Sequence, residues 1–153
     1  MLDVIENTIL EKLRGCETFK GYSIDPEPED FKNYPFTSEL GCLLVSYDST
    51  LYSDPQTLNT ITQDATYTFK IIAGLRYFKT NTLKESFPVL QAIKNVLTGV
   101  GISNGRLYPT KCQYIGKLDR THYYSYTFEI KLKSISATQP DNIINLFTTP
   151  KNN

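Results

Sequence analysis

Residues 121–133 read THYYSYTFEIKLK and alternate without a break, with His122, Tyr124, Tyr126, Phe128, Ile130 and Leu132 on one side and Tyr123, Ser125, Thr127, Glu129, Lys131 and Lys133 on the other. A period of two belongs to an extended strand, whose successive side chains leave opposite faces. Residues 107–117 before it are rich in aromatic and β-branched side chains, and the Leu118-Asp119-Arg120-Thr121 segment between the two supplies turn residues. Residues 107–133 therefore predict a long antiparallel hairpin. One of its faces is apolar and the other carries Thr, Glu and Lys, which predicts a sheet covered on one side and wet on the other.

Two helices are available as the cover. In residues 2–14 the apolar Leu2, Ile5, Ile9 and Leu13 recur at helical spacing, with Asp3 and Glu6 early, Lys12 and Arg14 late, and Gly15 at the C-terminal cap position. The second helix has two candidate starts. Thr82 and Glu85 have capping-box spacing, but that start puts Pro88 inside the helix. Ser86 as N-cap instead leaves Pro88 in the first turn, where its missing N–H costs nothing. Val89, Leu90, Ile93, Val96 and Leu97 then form one stripe, ended by Gly99.

Further strands are expected over residues 41–47 (GCLLVSY), apolar on both faces and hence central, and over residues 60–77. In the latter, Tyr67, Phe69, Ile71 and Ala73 oppose Thr66, Thr68, Lys70 and Ile72, and Gly74 marks an expected bend or bulge. Residues 19–23 suggest a short strand and residues 48–54 a connection. Together these elements predict an α+β fold, a mostly antiparallel sheet of about four to five strands with two helices packed on one face. The expected organisation is a single domain over residues 1–133 followed by a polar extension over residues 134–153.

Sixteen basic and sixteen acidic residues cancel, and no cationic run offers a phosphate-binding face, so direct nucleic-acid recognition is not expected. No apolar run approaches the roughly 18–20 residues of a membrane span, and no leader pattern opens the chain, so the expectation is a soluble, unprocessed protein. Cys16, Cys42 and Cys112 are odd in number and widely spaced, which predicts free thiols and no metal site. His122 is the sole histidine and lacks a nearby nucleophile and orienting acid, so it reads as a packed or surface ring. Gly99, Gly101 and Gly105 follow a helix and precede a strand, the reverse of a phosphate cradle. No catalytic residue, cofactor or metal is predicted.

Asp25-Pro26-Glu27-Pro28-Glu29-Asp30 breaks regular structure and leads into Phe31, Tyr34 and Phe36. The extension carries Ile143, Ile144, Leu146 and Phe147 on an otherwise polar background. These seven apolar residues are candidate subunit or partner contacts.

The stretches LDVIENTILEKL, GCLLVSY, VLTG, GRLYP and YYSYTFEIKLK, in this order across residues 2–132, resemble the Gp-type family of Mu-like phages and prophages, whose members are taken as tail terminators. Residues 25–30 and those after 134 match least. The resemblance implies a non-enzymatic structural subunit that closes into a homo-oligomeric ring, a hexamer, at the head-proximal end of the tail tube. Its implied partners are tail tube and neck proteins, and its implied places are the host cytoplasm during assembly and the virion tail. Two alternatives stand beside it: a head-completion or neck connector protein, and a small-molecule binding protein or enzyme with an aromatic pocket between sheet and helices.

Overall fold

The computed structural model describes residues 1–34, 38–56, 60–76, 79–80 and 82–137, and the side chains of these except 32, 60 and 135–137. The chain begins with helix α1 (Leu2–Arg14), whose Ile5, Ile9, Leu10 and Leu13 are buried. The Gly15 N–H closes the helix on the Glu11 carbonyl at 3.0 Å. A 3-10 turn at Glu17–Phe19 then drives Phe19 into the core, and strand β1 is Ser23–Pro26. The short strand therefore starts where residues 19–23 were expected to end, and it runs into the proline-rich stretch. An edge strand can end on Pro26, since an edge proline leaves no ladder partner without its N–H.

Strand β2 is Gly41–Tyr52, β3 is Thr60–Leu75, α2 is Phe87–Leu97, β4 is Gly101–Ile102, β5 is Gly105–Arg106, β6 is Tyr108–Leu118 and β7 is Thr121–Ala137. The main sheet has the order β1-β2-β3-β7-β6, parallel between β1 and β2 and antiparallel elsewhere, while β4 and β5 form a separate two-residue ladder. This is the α+β, mostly antiparallel architecture read from the sequence. The β6–β7 hairpin closes through Asp119 and Arg120, with Asp119 at φ 55°, a left-handed position that aspartate tolerates well.

The period of two decides which side chains meet the helices. Phe69, Ile71 and Ala73 of β3 join Tyr124, Tyr126, Phe128 and Ile130 of β7 under Ile5, Ile9 and Leu13 of α1 and Ile93 and Leu97 of α2. Each fully buried side chain of this size contributes about 1.5–3 kcal/mol through removal from water. Ser86 stands at the N-cap position of α2 with Pro88 in the first turn, as read from the sequence, but its hydroxyl makes no cap bond and instead bonds the Leu83 carbonyl and the Tyr124 hydroxyl. Glu85 serves a different purpose from the capping box: its carboxylate accepts the N–H groups of Lys79 and Thr80 at 2.8 and 2.6 Å. The helix ends at Gly99, φ +84°, whose N–H donates to the Leu107 carbonyl at 2.7 Å and ties the helix end to the start of β6.

Three expectations change. Residues 48–52 are strand: Asp48 is accommodated as a bulge between the Tyr47–Phe69 and Ser49–Thr68 pairs, so β2 stays in register along its long partner β3. Gly74 sits in regular pairing with Cys42 and Tyr123, and its lack of a side chain serves close approach, since a Cβ there would lie 2.8 Å from the Tyr123 ring. The face away from the helices is not wholly wet. Cys42, Leu44, Ile72 and Tyr123 form a second, smaller cluster on it, with Phe31 and Tyr34 packed against them. Loop residues covering one end of the sheet bury apolar area that the alternation pattern alone leaves open.

With 16 residues in β3 and 17 in β7, the central strands reach about 50 Å at roughly 3.3 Å per residue. The 13 residues of α1 span only about 20 Å at 1.5 Å each. The sheet therefore overhangs its helical cover. On the overhang Tyr52, Leu51 and Ile61 are exposed.

Candidate functional site

Among the described residues, the titratable groups do not converge on a catalytic arrangement. His122 Nδ1 lies 3.1 Å from the Tyr114 hydroxyl across the β6–β7 ladder. Partial burial, helped by Lys117 opposite it, holds the imidazolium below its ordinary range. A neutral ring hydrogen-bonded to a phenol is a packing arrangement, since no nucleophile of the described residues stands beside it. Cys42 is fully buried in the second cluster, and burial pushes its thiol up to about 11, so little thiolate exists at neutral pH. Cys112 is exposed on β6, and Cys16 is half-buried.

Among the described residues, no group of three or more His, Cys, Asp and Glu could hold a metal ion, and every buried side-chain polar atom has a hydrogen-bond partner. No helix among the described residues is long and apolar enough to cross a membrane.

The loop after β1 is held by its own chain. The Tyr34 hydroxyl donates to Asp25 Oδ2 at 2.5 Å, and this bond, with burial, raises its ionisation to about 12. Arg14 donates to the Ile24 carbonyl at 2.7 and 3.0 Å and pairs with Asp25 at 3.4 Å. Phe31 meets Tyr123 edge-on, ring centroids 5.5 Å apart. Between Phe31 and the hairpin end lies an open cleft of about 340 Å³, lined by Ile115, Gly116, Lys117, Leu118 and Tyr123. It carries one charged group and no convergent polar set, the reverse of a specific small-molecule site.

What the surface offers instead is two sheet edges of unlike character. Along β6, Tyr108, Tyr114, Ile115 and Leu118 remain 39–44% exposed. Its outer backbone has no partner among the described residues. Along β2, β1 covers only the stretch from Cys42 to Val45, and the outer strand edge over residues 46–52 has no partner strand among the described residues, beside Leu51, 75% exposed. Of the seven contact candidates, Phe31 and Tyr34 are partly buried on the second cluster, each keeping some surface. Phe36, Ile143, Ile144, Leu146 and Phe147 lie outside the described residues. The two edges were not legible as surfaces, because strand order is not written in any local pattern. A signal was nonetheless present: residues 21–31 and 38–56 contain seven acidic residues and no basic one, whereas residues 105–120 contain four basic residues and one acidic.

Comparison with known proteins adds two findings. A family model described as Gp37 protein matches residues 10–150, a span that includes most of the polar extension. Among solved structures, a chain from the virion of a native gene transfer agent (GTA) particle superposes with a TM-score of 0.60 at 13% identity, over 87% of this chain and 97% of that one. At that identity the likeness is one of fold. No curated protein matches the chain.

Proposed function

This chain belongs to the Gp37 protein family, and from that premise we propose that it is a structural subunit of a phage or prophage virion. Within the virion its role is tail terminator, a ring of six copies at the head-proximal end of the tail tube. The observation that carries the reading is the fold shared with a GTA virion chain across nearly the full length of both. The surface agrees with it in kind: two sheet edges without a partner strand among the described residues, with exposed apolar side chains along both, suit a subunit whose work is contact. Its partners are then further copies of itself, the tube and the neck, met in the host cytoplasm and retained in the particle. The same observation favours a second reading, a head-completion or neck connector, because the similar chain is known here only as part of a virion.

Immunogold labelling of purified particles tests the proposal directly. Label at the junction of tail tube and neck supports the terminator, label at the portal supports the connector, and particles free of the protein overturn both. Light scattering with negative-stain imaging should find rings of about six copies, in solution or on tubes. Removal of residues 140–153 should weaken ring formation while circular dichroism of the monomer stays unchanged; an unaltered ring would exclude the extension from the seam.

A further inference from the structure

We propose that copies of this chain join head to tail by the two outer edges of the main sheet, β2 beyond Ser46 of one copy pairing with β6 of the next. The inference rests on the reading of the chain as a ring subunit and names the surfaces that would make the seam.

Charge carries the argument. The β1–β2 side of the sheet is built from residues 21–56, with seven acidic residues against one basic, Lys32, and the β6 side from residues 105–120, with four basic residues against one acidic. Ion pairs among the described residues, Arg14–Asp25 and Lys70–Asp48, neutralise two of the acids. They leave Glu27 and Asp54 at the two ends of the open stretch of β2: the Glu27 N–H bonds the Val45 carbonyl at 2.8 Å, and Asp54 lies just past Tyr52. On β6, Lys111 and Lys117 are exposed and make no ion pair among the described residues.

The spacings are commensurate. With the Asp48 bulge discounted, Glu27 and Asp54 bracket roughly seven ladder positions, or about 23 Å. With the bulge at Ile115 discounted, Lys111 and Lys117 bracket about five, or 17 Å, and the length of a lysine side chain covers the difference. Pairing of like edges would set acid against acid or lysine against lysine, which opposes a two-fold dimer and leaves the unlike, ring-forming contact.

The edges also differ in how they are guarded. β6 carries Pro109, two lysines and bulges at Thr110 and Ile115, features that discourage indiscriminate strand addition. Open β2 has one bulge and neither proline nor lysine. Exposed Leu51 and Tyr52 on one edge and Tyr114, Ile115 and Leu118 on the other supply apolar area to bury once charge has selected the register.

The test uses two full-length variants, Glu27→Lys/Asp54→Lys and Lys111→Glu/Lys117→Glu, followed by sedimentation velocity at low salt. Wild-type association should weaken as salt rises, and each variant alone should associate about tenfold or more weakly, since like charges then face each other. Mixed one to one, the variants should recover wild-type association, because every seam again joins opposite charges. Variants that associate like wild type, a mixture that stays dissociated, or a wild-type chain that does not associate at low salt would each overturn the edge pairing. Immunogold label at the junction of tail tube and neck would in any of those cases keep the ring-subunit reading, so the two can fail separately.

Discussion

Gly41, paired with Leu75, and Gly74, paired with Cys42, are neighbours on the β2–β3 ladder, and each is glycine for a different reason. Gly41 has φ +148°, and a Cβ there would stand 2.0 Å from the Gly74 carbonyl oxygen, which is backbone and cannot yield. At Gly74 a Cβ would meet side chains, Tyr123 Cε1 at 2.8 Å and Cys42 Sγ at 3.0 Å, which can shift. Gly74→Ala should therefore cost about 1–3 kcal/mol, typical of overpacking, and Gly41→Ala more; urea denaturation of the two variants gives the order. At His122 burial lowers the folded pKa below the 6.5 of the free side chain. The unfolded chain then takes up the proton first as pH falls, so this residue's contribution to stability is full above pH 6.5 and is lost as pH drops through the folded value. The urea midpoint of wild type should fall more than that of His122→Gln between pH 7.5 and pH 5. The apolar run over residues 41–47 placed Cys42, and alternation placed His122, on their strands correctly from sequence. What lay above them could not be read, because contacts across a sheet are non-local.

Among the elements, α2 and the start and turn of the β6–β7 hairpin were legible to within a residue or two, since Pro88, Gly99 and the unbroken alternation are local signals, but β7 runs on to Ala137, four residues past its expected end, because β3 continues to pair with it. β1 and the second half of β2 were not. Both depend on a partner strand: Pro26 and Asp48 argue against a strand until a neighbour supplies its ladder and a bulge takes up the extra residue. The loop after β1 read only as a break in regular structure leading into candidate contact aromatics; in the structure Phe31 covers Tyr123, and Tyr34 is tethered to Asp25. Phe31→Ala should destabilise the chain by about 1–2 kcal/mol, below the 3–5 of a fully buried phenylalanine, because Phe31 is only half-buried. The same variant should raise the rate at which Cys42 reacts with a thiol reagent under native conditions. An unchanged rate would mean that the loop does not guard the cluster.

At the scale of the whole molecule, fold class followed from the order of periodic segments, whereas sheet order, and with it the opposition of an acidic and a basic edge, became visible only once β7 was seen to lie between β3 and β6. In the intact protein Cys42 has no exposed surface while Cys112 is open to solvent. A thiol reagent should consume Cys112 first, and Cys42 should follow at the rate of global opening, tracking the loss of the β2–β3–β7 core. Equal rates would mean that the second cluster opens by itself.

The order of the sheet also sets when it can exist. β3, residues 60–75, is completed on its far side by β7, residues 121–137, the last strand of the main sheet to leave the ribosome. Until then a 16-residue strand stands with one backbone edge unpaired. Closing so distant a pair is slow, on the order of milliseconds to seconds, and the waiting edge is a template for strand addition by another chain. The yield of soluble protein should therefore depend on how fast and at what concentration the chain is made, even though the finished sheet is stable.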